Sequence, residues 1–276
     1  MSDDRWTLGF VGAGVMAETM ITGALSGGGF TPERVILSDP NPSRRAQLSH
    51  RGVRVTDNNR EVVSLADVIV LAVKPQSLPS VFADVRGEVS PEAPVLSIVA
   101  GATIGALSRG LSHGRVARAM PNLPCRIHRG MTLWTGLTGR DAERIELVLR
   151  GMGQVRRVDS EADVDRATAV SGTGPAIVAE FVKSMVDAAN YVGLPRELAY
   201  EAVLATVLGT AEMIRTSDLH VGQLIDEVTS PAGTTSRALQ VLKKDRFGAA
   251  VTDSVDAAYQ RTLELGAVLE ARLAEE

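Results

Sequence analysis

Thr7-Leu8-Gly9-Phe10-Val11-Gly12-Ala13-Gly14-Val15-Met16-Ala17 is the stretch whose reading decides the fold. A short apolar run, Leu8–Val11, enters G-x-G-x-x-A directly, and a helix-forming stretch from Ala17 to Leu25 follows. Gly12 permits a tight turn, Gly14 lets the backbone approach a pyrophosphate, and Ala17 keeps the helix close to the strand. The free N–H groups and the dipole at the helix start favour phosphate charge there. Gly12, Ala13, Gly14, Val15 and Met16 are therefore expected to hold a dinucleotide. On its own the pattern is weak; it gains weight as the first strand–turn–helix of an alternating chain.

Working outward, the second apolar run ends at Ser38-Asp39. An acidic side chain at this place commonly accepts from the 2′-hydroxyl of the adenine ribose and repels a 2′-phosphate, which favours NADH. Arg44 and Arg45, a turn or two later, are placed to neutralise a 2′-phosphate instead, so NADH and NADPH both stay open. Asp39 also suits a turn ahead of Pro40. Asn59 is counted with Ser38 and Asp39 as a cofactor contact. Val70-Leu71-Ala72-Val73-Lys74-Pro75 closes another strand, and Arg118-Ala119-Met120-Pro121-Asn122 closes a later one. Ligands of open α/β sheets bind beyond the carboxyl ends of strands, so Ala72, Val73, Lys74 and Asn122 fall on the binding edge. Otherwise Lys74 is a solvated strand-end lysine and Asn122 a turn residue.

Beyond this edge the chain divides in two. From residue 7 to about 158, β-branched runs (Val35–Leu37, Val68–Val73, Val95–Val99, Val116–Ala119) alternate with amphipathic stretches such as Ser43–His50 and Gln76–Val85. That alternation predicts βαβ units and a Rossmann-like, doubly wound parallel sheet over residues 1–160. Later, Ala162–Gly193, Pro195–Thr216 and Ala249–Glu276 are long, Ala-rich and helical in period. Residues 161–276 are expected to form an all-helical domain that binds substrate and dimerises, because helices apolar on several faces need partners on several sides.

Composition limits the function classes. Of the 276 residues, 45% are hydrophobic and only 4% aromatic, which suits close-packed helices on a buried sheet. The net charge is −4 without a basic stripe, so nucleic acid is not expected as a partner. Cys125 is the single cysteine, which excludes an internal disulfide and a cysteine metal cluster, and no metal site is expected. Met1-Ser2-Asp3-Asp4 lacks the regions of a signal peptide, and no apolar run is long enough to span a membrane. A cytoplasmic protein without a membrane partner is expected.

A second chemical motif lies in Val228-Thr229-Ser230-Pro231-Ala232-Gly233-Thr234-Thr235-Ser236-Arg237-Ala238-Leu239. A Pro/Gly turn opens into a helix, leaving backbone N–H groups aimed outward, with the Ser230, Thr234 and Thr235 hydroxyls beside them. This is a seat for a small anion such as a carboxylate; the same residues also suit an ordinary Ser/Thr-capped helix.

The run is similar to the S-P-G-G-[TA]-T loop of pyrroline-5-carboxylate reductases. The resemblance covers nearly the whole chain in order. The V-K-P at Val73–Pro75 and the R-x-M-P-N at Arg118–Asn122 belong to it, as do Ser97–Thr103 and Ser171-Gly172-Thr173-Gly174-Pro175-Ala176. It implies hydride transfer from NADPH or NADH to a cyclic imino acid, yielding L-proline, in a homodimer or a larger homo-oligomer built from dimers. Substrate binding is expected at Ser230, Gly233, Thr234 and Thr235, with the carboxylate on the backbone N–H groups around Gly233 and Thr234 and Ser230 assisting. Thr235 and Asp218 are the expected catalytic residues, the first at the ring nitrogen and the second steadying the iminium or capping the next helix. Such imines arrive partly protonated, so no strong general acid is demanded, and alignment carries the catalysis.

The chain departs from the family pattern at Ile177, Lys183, Asp218, Glu227 and Ala232. These departures motivate two alternatives, a reductase of a related cyclic imino acid and a non-catalytic NAD(P)-binding relative.

Overall fold

The structure is a computed structural model that describes residues 6–27 and 29–274; Met1–Asp4, on which the reading of the leader rests, lie outside the described residues. Two compact units are present: Met1–Thr173 with Ala257–Glu276, and Gly174–Asp256. The second compact unit thus spans Gly174–Asp256, and the end of the last helix groups with the first unit.

The first unit carries β1 (Leu8–Val11), α1 (Val15–Gly27), β2 (Val35–Ser38), α2 (Pro42–Ser49), β3 (Arg54–Thr56), α3 (Asn59–Leu65), β4 (Val68–Leu71) and α4 (Leu78–Val85). It continues through β5 (Val95–Ser97), α5 (Ile104–Leu111), β6 (Val116–Met120), β7 (Gly130–Thr135), α6 (Gly139–Arg150), β8 (Gly153–Arg157) and α7 (Glu161–Ala167). The strands form one eight-stranded sheet in the order β3-β2-β1-β4-β5-β6-β7-β8. β1 lies between β2 and β4, with Leu8 level with Val35 on one side and Val68 on the other. Every residue of β1, β2 and β4 is buried, as strands covered on both faces must be.

The sheet departs from the expected all-parallel arrangement at one edge. β6 pairs antiparallel with β7, Arg118 opposite Thr135, and β8 then runs parallel to β7. The cause is the connection: Leu123–Ile127 form a short 3-10 turn, and His128 takes a left-handed conformation at φ 58°. The chain thus reverses without the crossover helix that parallel neighbours require.

Two apolar layers enclose the sheet. Phe10, Met20, Ile21, Trp134 and Leu149 are buried in one, and Ile36, Ile69, Leu78, Phe82 and Leu107 in the other. Each such side chain contributes about 1.5–3 kcal/mol on burial. Thr103 and Arg109 of the first unit bond Glu270, and Leu269 joins the second layer, which fastens the chain end to α5. α7 starts at Ser160, whose hydroxyl accepts from the Asp163 amide. It stands over β6: the Arg118 guanidinium, only 1% exposed, donates to Asp165 at 2.5 Å. A π-helical turn, Thr168–Gly172, interrupts the helical run that the sequence suggested to be continuous from Ala162 to Gly193.

The second unit contains α8 (Gly174–Tyr191), α9 (Arg196–Thr216), α10 (Val221–Glu227), α11 (Thr234–Lys244) and the first part of α12 (Phe247–Ala274). Pro195 precedes α9 in an extended conformation, which its fixed φ allows. The small core of this unit is Val186, Ala199 and Val203. No described helix is long and apolar enough to cross a membrane.

Candidate cofactor and substrate sites

The turn after β1 is held from two sides. The Gly12 amide donates to the Ser38 carbonyl at 2.8 Å, and the Ala72 amide donates to the Val11 carbonyl at 2.8 Å. Gly12 has φ +97°, and a Cβ on it would lie 2.7 Å from the Ala72 carbonyl oxygen, so both conformation and space demand glycine. Gly14 faces open room: a Cβ there would meet only the Ala72 oxygen, 3.9 Å away.

In front of these glycines lies a cavity of about 420 Å³. Gly12, Gly14, Ser38, Asp39, Asn59, Ala72, Val73 and Lys74 all line it, so residues far apart in sequence converge beyond the carboxyl ends of β1, β2 and β4. The Ser38 hydroxyl donates to Asn59 Oδ1 at 2.7 Å, and Asn59 Nδ2 donates to Asp84 at 2.9 Å. The Asp39 carboxylate accepts from the Ala13 and Asn41 amides, each at 2.8 Å. Ala13 therefore shapes the site through Asp39. Val15 is exposed at the helix start and Met16 packs against the core; neither lines the cavity.

The two arginines raised by the sequence turn elsewhere. Arg44 Nε donates to the Ala13 carbonyl at 2.8 Å and Nη2 to Glu18 at 3.0 Å. Arg45 Nη1 donates to the carbonyls of Asp39 and Pro40, at 2.6 and 3.0 Å. Burial pushes the Glu18 carboxyl up, but hydrogen bonds from Arg44 and Arg51 outweigh it and hold the group below its usual range.

Asn122 is also outside the cavity lining. Its Oδ1 accepts from the Met131 amide at 3.0 Å and from the Cys125 thiol at 3.6 Å, tying the 3-10 turn to β7. Burial raises the pKa of that thiol, and Cys125 is apolar filling rather than a nucleophile. Asp57 and Asp84 line the cavity and were missed by the sequence reading. Asp57 follows β3, which carries no apolar run, and Asp84 is brought in by α4. The glycine turn, the open space before Gly14 and the hydrogen-bonding side chains at the strand ends fit a dinucleotide.

In the second unit the Ser230–Thr235 loop leads into α11. Ala232 takes φ 59°, the left-handed conformation that a glycine would adopt freely. Gly233 follows as the N-cap of α11, and a Cβ on it would fall 2.2 Å from the Ser230 hydroxyl. The Gly233 amide is spent on the Ser230 carbonyl at 3.1 Å, while the next internal bond runs from Arg237 to the Gly233 carbonyl. Among the described residues the amides of Thr234, Thr235 and Ser236 thus have no backbone partner, and no side chain caps the helix.

Asp218 stands exposed in the bend between α9 and α10. It does not cap α10: His220 Nδ1 accepts from the Gly222 amide at 3.1 Å, and Gln223 Oε1 accepts from the His220 amide at 3.0 Å. Lys183 pairs along its own helix with Glu180 and Asp187, at 3.6 and 3.5 Å. Ile177 lines an apolar cavity with Phe181, Met185 and Phe247. No group of three or more His, Cys, Asp or Glu suited to a metal ion occurs among the described residues.

Known proteins resemble this chain over its length. Residues 161–265 match the model for pyrroline-5-carboxylate reductase dimerisation, and residues 7–101 match that for NADP oxidoreductase, coenzyme F420-dependent. A pyrroline-5-carboxylate reductase from Synechocystis is 37% identical over 94% of this chain and 98% of its own length. The Escherichia coli pyrroline-5-carboxylate reductase is 34% identical over 94% and 97%. Among solved structures, Plasmodium falciparum pyrroline carboxylate reductase with NADP bound superposes with a TM-score of 0.86 at 30% identity, covering 95% of this chain and 99% of that one. With relatives above 30% identity matched over nearly the whole of both chains, the chain belongs to the pyrroline-5-carboxylate reductase family.

Proposed function

We propose that this protein reduces 1-pyrroline-5-carboxylate to L-proline, the last step of proline biosynthesis, with NADH or NADPH as electron donor. The observation that carries the reading is the Ser230–Thr235 loop, whose free amides and hydroxyls offer a seat for a carboxylate in a family that acts on one. The residues lining the cavity of the first unit would hold the reduced dinucleotide, which would supply the hydride for the imine carbon. The imine nitrogen carries its own proton and ends as the secondary amine, so the protein needs no strong acid.

The residues of the chain bind and orient. Gly12 and Gly14 admit the pyrophosphate to the start of α1, and Ser38, Asp39, Asn59, Ala72, Val73 and Lys74 take the rest of the dinucleotide. Asn122 holds the strand end in shape. The loop at Gly233 presents the free amide of Thr234 which, with the Ser230 hydroxyl, receives the substrate carboxylate. The Thr235 hydroxyl holds the ring nitrogen, and Asp218 steadies the positive charge of the iminium. Ala232 keeps the loop in the shape a glycine would give it, which favours the proline-forming reaction over a related imine.

The assembly is a homodimer or a larger oligomer of dimers, through residues 161–276. Exposed Phe181, Tyr191, Tyr200, Leu208 and Ile214 favour this, because a helical unit with so small a core leaves apolar surface to cover. We place the reaction in the cytoplasm, in keeping with the single unpaired thiol.

The test is oxidation of NADH and NADPH at 340 nm with pyrroline-5-carboxylate and purified protein. Turnover should appear and should fall about 10²-fold in kcat with Thr235→Ala, the scale seen when one positioned hydrogen-bond donor is removed. Silence with both nucleotides, each bound, would refute the reading.

A further inference from the structure

We propose that Asp39, assisted by Asp57 and Asp84, makes this protein select NADH over NADPH. The inference rests on reading the 420 Å³ cavity as the dinucleotide site. Asp39 directly follows β2, where the adenine ribose of a dinucleotide lies in folds of this topology. Its carboxylate is fixed there by the Ala13 and Asn41 amides and cannot swing aside without losing both bonds.

The surrounding charge acts in the same direction. Three carboxylates, Asp39, Asp57 and Asp84, line the cavity against one ammonium, Lys74. Lys74 follows β4, whereas Asp39 and Asp57 follow β2 and β3 at the other side of β1. A ribose 2′-hydroxyl donates to a carboxylate; a 2′-phosphate brings up to two negative charges to the same place. The cations that would offset them are committed. Arg44 is bound to the Ala13 carbonyl and to Glu18, whose carboxyl is held ionised by this contact and by Arg51. Arg45 is bound to the carbonyls of Asp39 and Pro40, and its other nitrogen lies 3.7 Å from Asp57. Neither arginine lines the cavity. Receiving a 2′-phosphate therefore requires breaking an ion pair as well as meeting a carboxylate, although a relative of this chain binds NADP.

Calorimetric titration of the whole protein with NADH and with NADPH, without imine, tests the inference. NADH should bind at least about tenfold more tightly, which corresponds to about 1.4 kcal/mol. The preference should narrow at high salt, which screens repulsion more than it weakens a hydrogen bond. Asp39→Ser should cut the preference roughly tenfold, chiefly by tightening NADPH. Asp57→Asn avoids the turn altogether, since Asp57 is exposed and its ion pair is with Arg45 at 3.7 Å. It removes one charge and one of the partners of Arg45, and should cut the preference about 2- to 5-fold even if Asp39→Ser does not fold. Equal or tighter binding of NADPH by the native protein overturns the proposal while the cofactor site stands. So does a ratio unmoved by Asp57→Asn. Failure of both nucleotides to bind overturns the cofactor site itself, and the selectivity with it.

Discussion

In the sheet-bearing unit, Phe10, Ile36, Ile69, Leu96 and Trp134 are wholly enclosed by the chain's own residues. In residues 174–256, by contrast, burial is confined to Val186, Ala199, Val203 and Leu224, while Tyr191 is 91% exposed and Leu208 70%. The polar groups differ in the same sense. Arg118, Asp141 and Ser38 are buried and bonded within the first unit. The second unit instead carries short-range pairs along single helices, such as Lys183 with Asp187 and Arg215 with Glu212. The first unit is complete as one chain. The second has helices without enough core to hold them, and the missing core is what a dimerisation domain takes from another copy.

The largest effect expected from this difference lies in the self-contained unit. Asp165→Asn leaves the Arg118 guanidinium buried without its closest carboxylate; Glu161, 3.6 Å from Nη1, compensates only in part. A buried charge stripped of its partner costs about 3 kcal/mol or more. Tm should drop by roughly 6–12 °C, with hydrogen exchange accelerating in β6 and α7. Unchanged exchange there would show that the pair contributes nothing to closing the first unit.

The second test breaks the other side of the comparison. Leu208→Glu puts a charge on an apolar position of α9 that the single chain leaves open. Association measured by light scattering should weaken about 10²-fold, about 2.8 kcal/mol, as for an interface residue near a hot spot. Nucleotide binding should persist, because the cavity belongs to the first unit alone. Unaltered assembly would mean that α9 is not where the copies meet.

What the sequence displayed follows the same division. β1, β2, β4, β5 and β6 are fully buried strands; the first four appear as apolar runs, and β6 (VARAM) does so apart from the buried Arg118. β3 (RVT) and β8 (GQVRR) lie at the sheet edges with exposed residues, and β7 (GMTLWT) buries threonines, so none of the three has a hydrophobic run to display. The reversal at β7 arises from a 3-10 turn and a left-handed His128, which apolar patterning does not register. For the site, Gly12, Asp39 and Lys74 are adjacent to legible strand ends, whereas Asp57 depends on an illegible one. The destinations of Arg44 and Arg45 are tertiary facts: the partner of Arg44, Glu18, is distant in sequence. Asp218 and His220 illustrate the limit at short range, since both are plausible caps and only the backbone of α10 selects His220.

A smaller effect is expected at Ala232, the strained residue of the loop. A left-handed conformation costs a non-glycine residue about 1–2 kcal/mol, and the added freedom of glycine when unfolded takes back about half of that. Ala232→Gly should therefore raise stability by about 0.5–1 kcal/mol, read as a small increase in the denaturant midpoint. A loss of stability would show that the methyl group is packed against something that glycine cannot replace.

The smallest effect is a pH dependence that belongs to the first unit. His113 follows α5, and its Nε2 lies 2.9 Å from the Ala93 carbonyl. Burial holds its pKa below the usual 6.5; the Ala93 carbonyl opposes this, Arg115 adds to it, and Asp141 opposes it. Between the lowered folded value and 6.5 the unfolded chain binds more protons than the folded one, so stability rises with pH across that window and is fully present above it. Denaturant midpoints should fall gently as pH drops below 6.5, and His113→Gln, which keeps a donor for the Ala93 carbonyl, should flatten that part of the curve. Were the native and variant curves parallel through the window, the decline would have to come from other groups, and His113 would be as solvated as the residues of the open helical unit.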